Sequence, residues 1–357
     1  MGKLTWGSLQ KWVADNYGDA YRKNIMVSNN KQNCLNIFRL LAAVGVMYGH
    51  TIHHLQIDIP EVVSRFLWLP GVPLFFCLSG FLIWPSIGRS KTFAEYSRKR
   101  FWRIYPELWT AVLLNAVAIV LLFAPIEWDK FAVFTLTQAT FFQFWTPDFL
   151  RGYGCGTPNG ALWTITVIVQ FYLLGFFLYK FVYKKNKAQL VLVALSVLLA
   201  FFHGDIVSRV PEVIGKLYGV TVFPYMWMFL LGVFLCDNKD RCLEFMKKGW
   251  LPLFVVAYLV IKSGFDVRLG LYGFVGSTLS FMAFLGFAYR FPQLSIKTDV
   301  SYAVYVYHMV VVNAFIALGL VNNLWYLPLV FVITFLISYA STKTIGAFGI
   351  RKKTKVG

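Results

Sequence analysis

The chain has 357 residues, of which 58% are apolar and only 14% are charged, and it has a net charge of +18. Soluble domains contain about 25% charged residues, so this composition excludes an ordinary soluble protein and indicates one polytopic membrane domain. The charge is typical of Lys and Arg in cytoplasmic loops. Because no zinc-ligand spacing or RNA-binding motif accompanies it, no nucleic-acid partner is expected. The five cysteines are scattered, without the spacing of a disulfide framework or a metal site.

At about 20 residues per span, the apolar runs predict an all-α integral membrane protein with about ten transmembrane helices. The expected spans are residues 35–55, 67–87, 104–125, 160–182, 189–203, 218–236, 250–264, 269–288, 300–319 and 324–342. Residues 131–145 are too short and too polar for a span, so this piece is expected to be re-entrant or interfacial. With this count, most Lys and Arg lie on one side of the membrane, which places both termini in the cytoplasm.

The same pattern divides the chain into three regions. Residues 1–34 are a cytoplasmic N-terminal extension without the features of a signal peptide. Residues 35–342 are the ten-helix membrane domain, and residues 343–357 are a basic cytoplasmic tail. The extension holds either a small interfacial helix around Trp6 and Trp12 or poorly ordered chain, and the two readings have equal support.

The first expected span contains two ionisable residues, Arg39 and His50. Eleven helical residues advance about three full turns and about 16 Å, so both side chains share one helix face with Ala42 and Val46. An ionisable residue inside a membrane helix is costly and indicates a functional site by default. The alternative is a buried structural hydrogen-bond network.

The second span and the segment before the third contribute further candidates. Ser79 and Gly80 allow close backbone approach either to another helix or to a ligand. Arg100 and Arg103 lie in the basic segment 88–103, which is either a loop that sets the topology or a phosphate site, since guanidinium groups bind phosphate oxygens in pairs.

The outer segment 145–163 is the longest polar, aromatic-rich stretch predicted to face outside. Aromatic platforms beside polar groups suit carbohydrate, so this segment is a candidate binding site for a glycan acceptor. An interfacial aromatic belt explains its tryptophans equally well. In the ninth span, His308 is either a hydrogen-bonded core histidine or a site residue.

Five blocks of sequence occur in order between about residues 35 and 310. They are Arg39-x-x-Ala42-x-x-x-Val46-x-x-x-His50, Gly71 to Ile83, Arg100-x-x-Arg103-Ile-Tyr105-Pro106, Leu162-Trp163 to Tyr172, and Ser301-Tyr302 to His308. Together they resemble the motifs of the membrane-bound acyltransferase-3 family, the integral-membrane O-acyltransferases that decorate bacterial glycans. One block alone is a weak signal, whereas five in the family's order are a specific one.

The resemblance implies transfer of an acyl group, by default acetyl, from acetyl-CoA or another cytoplasmic acyl-CoA to a hydroxyl of an extracytoplasmic glycan or lipid-linked sugar. The setting would be the bacterial cytoplasmic membrane, and no metal would be needed. His50 is expected to be the general base, with a transient acyl-His as a variant, and Arg39 to orient the donor or stabilise charge. The residues assigned to the donor are Arg100, Arg103, Ser79, Gly80 and Tyr105. The residues assigned to the acceptor are Trp145, Asp148, Arg151, Trp163 and His308.

The chain departs from the family pattern at Ile168, where relatives commonly carry a glutamate. Either that role is dispensable, or another acid such as Glu107 or Asp148 replaces it, or the substrate differs. Two other classes of function share this membrane composition. A transporter of an acyl group or lipid-linked sugar predicts paired half-repeats with broken helices, which the sequence lacks, and a non-catalytic scaffold does not explain five ordered blocks.

Overall fold

The computed structural model describes residues 33–60, 69–264 and 273–349, and the regular elements in these ranges are helical. The thirteen α-helices are α1 (Leu35–His54), α2 (Gly71–Gly88), α3 (Phe93–Leu122), α4 (Trp128–Gln138), α5 (Trp163–Val182), α6 (Asn186–Phe201), α7 (His203–Ser208), α8 (Glu212–Gly219), α9 (Met226–Asp237), α10 (Lys239–Ser263), α11 (Phe274–Arg290), α12 (Ser301–Ala317) and α13 (Tyr326–Ser341). Short 3₁₀ helices cover Asp148–Gly152 and Pro292–Leu294, and a π-helical turn, Thr342–Gly346, continues α13.

Five of the described helices are long and apolar enough to cross a membrane: α1, α2, α3, α5 and α13 with its continuation. Helices α6, α9 and α12 are apolar but shorter. The chain is therefore a multi-pass membrane protein, as expected. Each of the ten expected spans contains part of a described helix, while the count of ten crossings and the cytoplasmic termini stay predictions. Nearly all of the N-terminal extension and the last part of the basic tail lie outside the described residues.

Residues 131–145, expected to be re-entrant or interfacial, begin within α4. This helix has 11 residues, about half of what a membrane span requires. Turns follow it, and Gln138 at its end donates a hydrogen bond from Nε2 to the Trp145 carbonyl oxygen at 3.1 Å. The piece thus folds back on itself locally.

Helix α3 begins at Phe93 and not at residue 104 as expected. Thr92 caps it, because its hydroxyl oxygen accepts a hydrogen bond from the Glu95 backbone N–H at 3.1 Å. Thr-x-x-Glu is the sequence pattern of a capping box, and it starts a helix here. Most of the basic segment predicted as a loop is therefore helical, and Arg100 and Arg103 lie on a rigid element.

The sixth expected span, 218–236, is interrupted, and its long helix, α9, begins only after Pro224. Proline removes a backbone donor and disfavours the helical conformation of the preceding residue. The side chain of Gln170 in α5 makes hydrogen bonds to backbone groups of the turn that results. Its Nε2 donates to the Val220 carbonyl oxygen at 2.8 Å and its Oε1 accepts from the Val222 N–H at 3.2 Å. Backbone that leaves a helix inside an apolar protein needs such partners.

Helices α2 and α12 form much of the interior. Helix α12 is apolar on every side, which is typical of a fully surrounded helix, and nearly all of its residues are buried. It packs along α1, while α2 packs along α9. Where α2 crosses α9, Gly80 faces the backbone of Phe229 and Gly232 faces the backbone of Cys77. A methyl group on either glycine would overlap that backbone, so Gly80 serves helix packing.

Candidate active site

A cavity of about 300 Å³ lies between α1, α2, α3, α5 and α12. Four arginines line it: Arg39, Arg89, Arg100 and Arg103. No aspartate or glutamate is among the described residues of its lining. Apolar side chains such as Phe75 and Leu82 make up much of the remaining wall. The cavity therefore suits an anionic ligand that also carries an apolar part.

Arg100 is held in place by neutral groups. Its Nη2 donates to Ser86 Oγ at 2.6 Å, and its guanidinium carbon lies 5.6 Å and 5.7 Å from the ring centroids of Tyr96 and Tyr172. Its Nε is buried without a hydrogen-bond partner in the described part of the chain. The side chain is thus oriented by a hydroxyl and two rings, and its charge borders a cavity that has no carboxylate among its described lining residues.

Arg39 is oriented by a carboxylate from a distant part of the chain. Its Nη2 lies 2.6 Å from Asp299 Oδ2. The other oxygen of Asp299 accepts hydrogen bonds from the Ser301 hydroxyl at 2.6 Å and the Ser301 N–H at 3.1 Å. Asp299 therefore ties Arg39 of α1 to the start of α12, and the buried Arg39 Nε has no partner among the described residues.

His50, at the other end of the α1 stripe, contacts His308 of α12. His50 Nδ1 lies 2.9 Å from His308 Nε2, and the two rings stack with centroids 5.2 Å apart. His50 is half-buried, whereas His308 is fully buried. The Tyr305 ring, which lines the cavity, lies 5.9 Å from the His308 ring. The histidine pair thus lies behind one wall of the cavity, and His50 is not among the described lining residues.

The outer segment is fastened to α12 on both sides of His308. Asn313 Oδ1 accepts from the Cys155 N–H at 2.8 Å, and its Nδ2 donates to the Pro158 carbonyl oxygen at 2.8 Å. Asn159 Nδ2 donates to the Val306 carbonyl oxygen at 3.0 Å. These bonds fix the loop before α5 next to the histidine pair.

Of the residues predicted to bind the donor, Arg39, Arg100, Arg103 and Ser79 line the same cavity. Gly80 faces α9, and Tyr105 stacks on Phe101 with ring centroids 4.6 Å apart. Neither Gly80 nor Tyr105 is among the described residues of the lining.

Of the residues predicted to bind the acceptor, Trp145, Asp148 and Arg151 are exposed on the outer segment. Arg151 donates to the carbonyl oxygens of two loop residues, each at 3.3 Å. Trp163 turns inward and packs against Tyr225, with ring centroids 5.3 Å apart. The structure therefore separates the exposed members of this set from Trp163 and from the fully buried His308.

The family's glutamate position, Ile168, lies in the cavity wall. Glu107 does not line the cavity; its Oε2 accepts hydrogen bonds from Tyr307 at 2.7 Å and Ser341 at 2.6 Å. Asp148 is exposed in the outer segment. Neither acid brings a carboxylate into the wall where Ile168 stands, so the described cavity is more apolar there than the family pattern implies.

Three residues that organise the candidate site are not among those expected from the sequence. Ser86 and Asp299 position two of the cavity arginines, and Asn313 holds the outer segment. The sequence contains features that could have identified two of these residues. Asp299 precedes an apolar run, where an acid commonly caps a helix, and Asn313 is a polar residue inside a membrane helix.

The chain is a multi-pass membrane protein in which an arginine-lined cavity lies next to a pair of histidines. The chain belongs to the family whose model is described as an acyltransferase domain, which matches residues 32–343. The resemblance seen in the sequence is confirmed, and the protein is an acyltransferase.

Two relatives are similar to this chain over most of their length and most of its own. It is 27% identical over 326 residues to a protein named nodulation protein 10 of Rhizobium leguminosarum bv. viciae, covering 84% of this chain and 88% of the relative. It is 26% identical over 294 residues to a protein named O-acetyl transferase of Shigella phage Sf6, covering 78% of this chain and 84% of the relative. No solved structure matches the chain significantly.

Proposed function

We propose that this protein moves an acyl group, by default acetyl, from a cytoplasmic acyl-CoA to a hydroxyl of an extracytoplasmic glycan or lipid-linked sugar. Its place would be the bacterial cytoplasmic membrane. The observation that carries the proposal is the cavity with four arginines and no carboxylate among its described lining residues. Coenzyme A is rich in phosphate, and guanidinium groups bind phosphate oxygens in pairs. The name of the phage relative, O-acetyl transferase, supports acetyl and a hydroxyl acceptor.

Different arginines of the cavity would bind different parts of the donor. Arg100 and Arg103, one turn apart on α3, would bind the phosphates of coenzyme A. Arg39, held by Asp299, would orient the donor at its own end of the α1 stripe, about 16 Å along the helix axis from His50. The apolar wall that includes Ile168 would surround the acyl group and the thioester arm.

His50 is the proposed general base. Acyl transfer from a thioester to an alcohol requires removal of the alcohol proton, and an imidazole suits this work near neutral pH. The acceptor oxygen would form its bond to the acyl carbon as the carbon–sulfur bond breaks. The proton taken by His50 would then pass to the thiolate of coenzyme A. In a variant of this scheme His50 carries the acyl group transiently.

The acceptor would approach from the outer segment. Asn313 and Asn159 fasten residues 155–159 of this segment to α12 on both sides of His308, so a sugar bound against that part would lie near the histidine pair. Trp145, Asp148 and Arg151 are exposed on the segment and offer one aromatic face and two charged groups.

The donor half of the proposal is tested by binding of coenzyme A to the purified protein in nanodiscs. Hydrogen bonds to charged groups contribute about 1.5–3 kcal/mol, so Arg100→Ala should weaken binding at least about tenfold. Arg209→Ala is the matched control, because Arg209 is exposed and distant in the chain from the cavity residues. Unchanged affinity in Arg100→Ala would remove the cavity from donor binding. Binding without any acyl transfer to a glycan would favour transport over catalysis.

A further inference from the structure

The contact between His50 and His308 determines which ring nitrogen of His50 can act as a base. His308 makes two contacts, one on each nitrogen. Its Nε2 lies 2.9 Å from His50 Nδ1, and its Nδ1 lies 3.2 Å from the Val304 carbonyl oxygen of the preceding helical turn. Both distances fit hydrogen bonds, so the two imidazoles and the carbonyl form one chain.

The direction of donation along these hydrogen bonds follows from the carbonyl group of Val304 at their end. A carbonyl oxygen only accepts hydrogen bonds, so Nδ1 of His308 must carry a proton. In a neutral imidazole the other nitrogen then has the lone pair, so Nε2 of His308 accepts and Nδ1 of His50 donates. The one nitrogen left with a lone pair is Nε2 of His50. We propose that His308 is a positioning residue that fixes this tautomer of His50, so that Nε2 of His50 takes the acceptor proton.

The surroundings of His308 suit this role. It is 0% exposed, so it acts on the reaction through His50 and not by touching a substrate. Asn159 bonds to Val306 and Asn313 bonds to the outer segment, which holds α12 on both sides of the histidine. Tyr305 packs edge-to-face on its ring. An imidazole held by these neighbours keeps its orientation while His50 gains and loses a proton.

The proposal rests on the proposed function, in which His50 is the base. Every proton and electron pair in the transfer step has a named donor and acceptor. The acceptor O–H proton moves to Nε2 of His50, the acceptor oxygen bonds to the acyl carbon, and the thiolate leaves with the carbon–sulfur electron pair. The His50 Nδ1–H stays bonded to His308 throughout, which stabilises the transient imidazolium. The Nε2 proton then passes to the thiolate.

Two amide variants of His308 separate positioning from packing. Gln at position 308 places its amide oxygen near the position of the ring Nε2, where it can accept from His50. Asn places its amide near Nδ1 and cannot reach His50. We expect His308→Asn to lower kcat about 100-fold, the lower range for loss of an acid–base group, with the KM for acetyl-CoA unchanged. His308→Gln should recover at least about tenfold of that loss, and His203→Gln, in α7, should behave as wild type.

A measurement that does not depend on turnover completes the test. In protein labelled with ¹⁵N-histidine, NMR shows which ring nitrogen carries the proton, and the His50 signals are identified by their absence in His50→Ala. A proton on Nδ1 of His50 is expected, and a proton on Nε2 would overturn the proposal. Equal kcat in His308→Asn and His308→Gln would overturn it too, as would a loss confined to KM. The expected tautomer in a protein that transfers no acyl group would instead refute the proposed function.

Discussion

The ion pair between Arg39 and Asp299 gives the sharpest prediction about the cavity. In Asp299→Asn, Oδ1 can still accept from Ser301 at the start of α12, so the helix start is retained. The variant loses the negative charge 2.6 Å from Arg39 Nη2. Arg39 then loses its fixed orientation, and we expect kcat for acyl transfer to fall.

The size of the effect follows from burial. Hydrogen bonds to charged groups contribute about 1.5–3 kcal/mol, and the side chains of Arg39 and Asp299 are 21% and 26% exposed, so solvent weakens the pair. The lower half of that range corresponds to a fall in kcat of about 10- to 45-fold. The assay is transfer of labelled acetyl from acetyl-CoA in proteoliposomes, with Glu244→Gln as control. Glu244 pairs with Lys247 at the surface, where an ion pair contributes about 0–1 kcal/mol. A rate within twofold of wild type in Asp299→Asn would refute the reasoning.

Three further predictions concern stability. Gly80→Ala should destabilise the fold by about 1–3 kcal/mol, since the added methyl group meets the backbone of α9. Thermal unfolding in detergent measures the loss of stability. The control is Gly49→Ala, whose methyl group meets nothing within 4 Å and which should not lower the unfolding temperature. Glu107→Ala removes the carboxylate that accepts from the Tyr307 and Ser341 hydroxyls, so that only one of them can keep an acceptor, in the other. The change should cost about 1–3 kcal/mol, while kcat per folded molecule stays unchanged. A lost kcat in fully folded protein would place Glu107 in the chemistry. Thr92→Ala removes the cap of α3 and should lower the free energy of unfolding by about 0.5–2 kcal/mol. An unchanged unfolding temperature would show that tertiary packing alone fixes the start of α3.

Hydropathy and motif spacing predicted much of this molecule from its sequence. The apolar runs located the helices, because burial in lipid requires continuous apolar stretches. They did not locate two helix starts, at Thr92 and after Pro224, since hydropathy does not register capping or the loss of a backbone donor. Both signals are present as residue types, a Thr-x-x-Glu pattern and a proline.

The site was predicted only in part because its key contacts join distant parts of the chain. Helical periodicity placed Arg39 and His50 on one face of α1, but it cannot tell which helix that face meets. The structure shows that the partner is α12 with the residues just before it, since Asp299 and His308 lie against the two ends of the stripe. Helix α12 is apolar on all sides, so its sequence gives no face to match with α1.

In the proposed mechanism, His50 carries out acyl transfer from a donor held in the arginine-lined cavity. The most direct test compares membranes containing wild-type protein or His50→Ala, each supplied with labelled acetyl-CoA, with the glycan fraction analysed for label. We expect label with wild type and a decrease of about 10²- to 10⁴-fold with His50→Ala, while coenzyme A binding is retained. Equal labelling by both proteins would contradict the account.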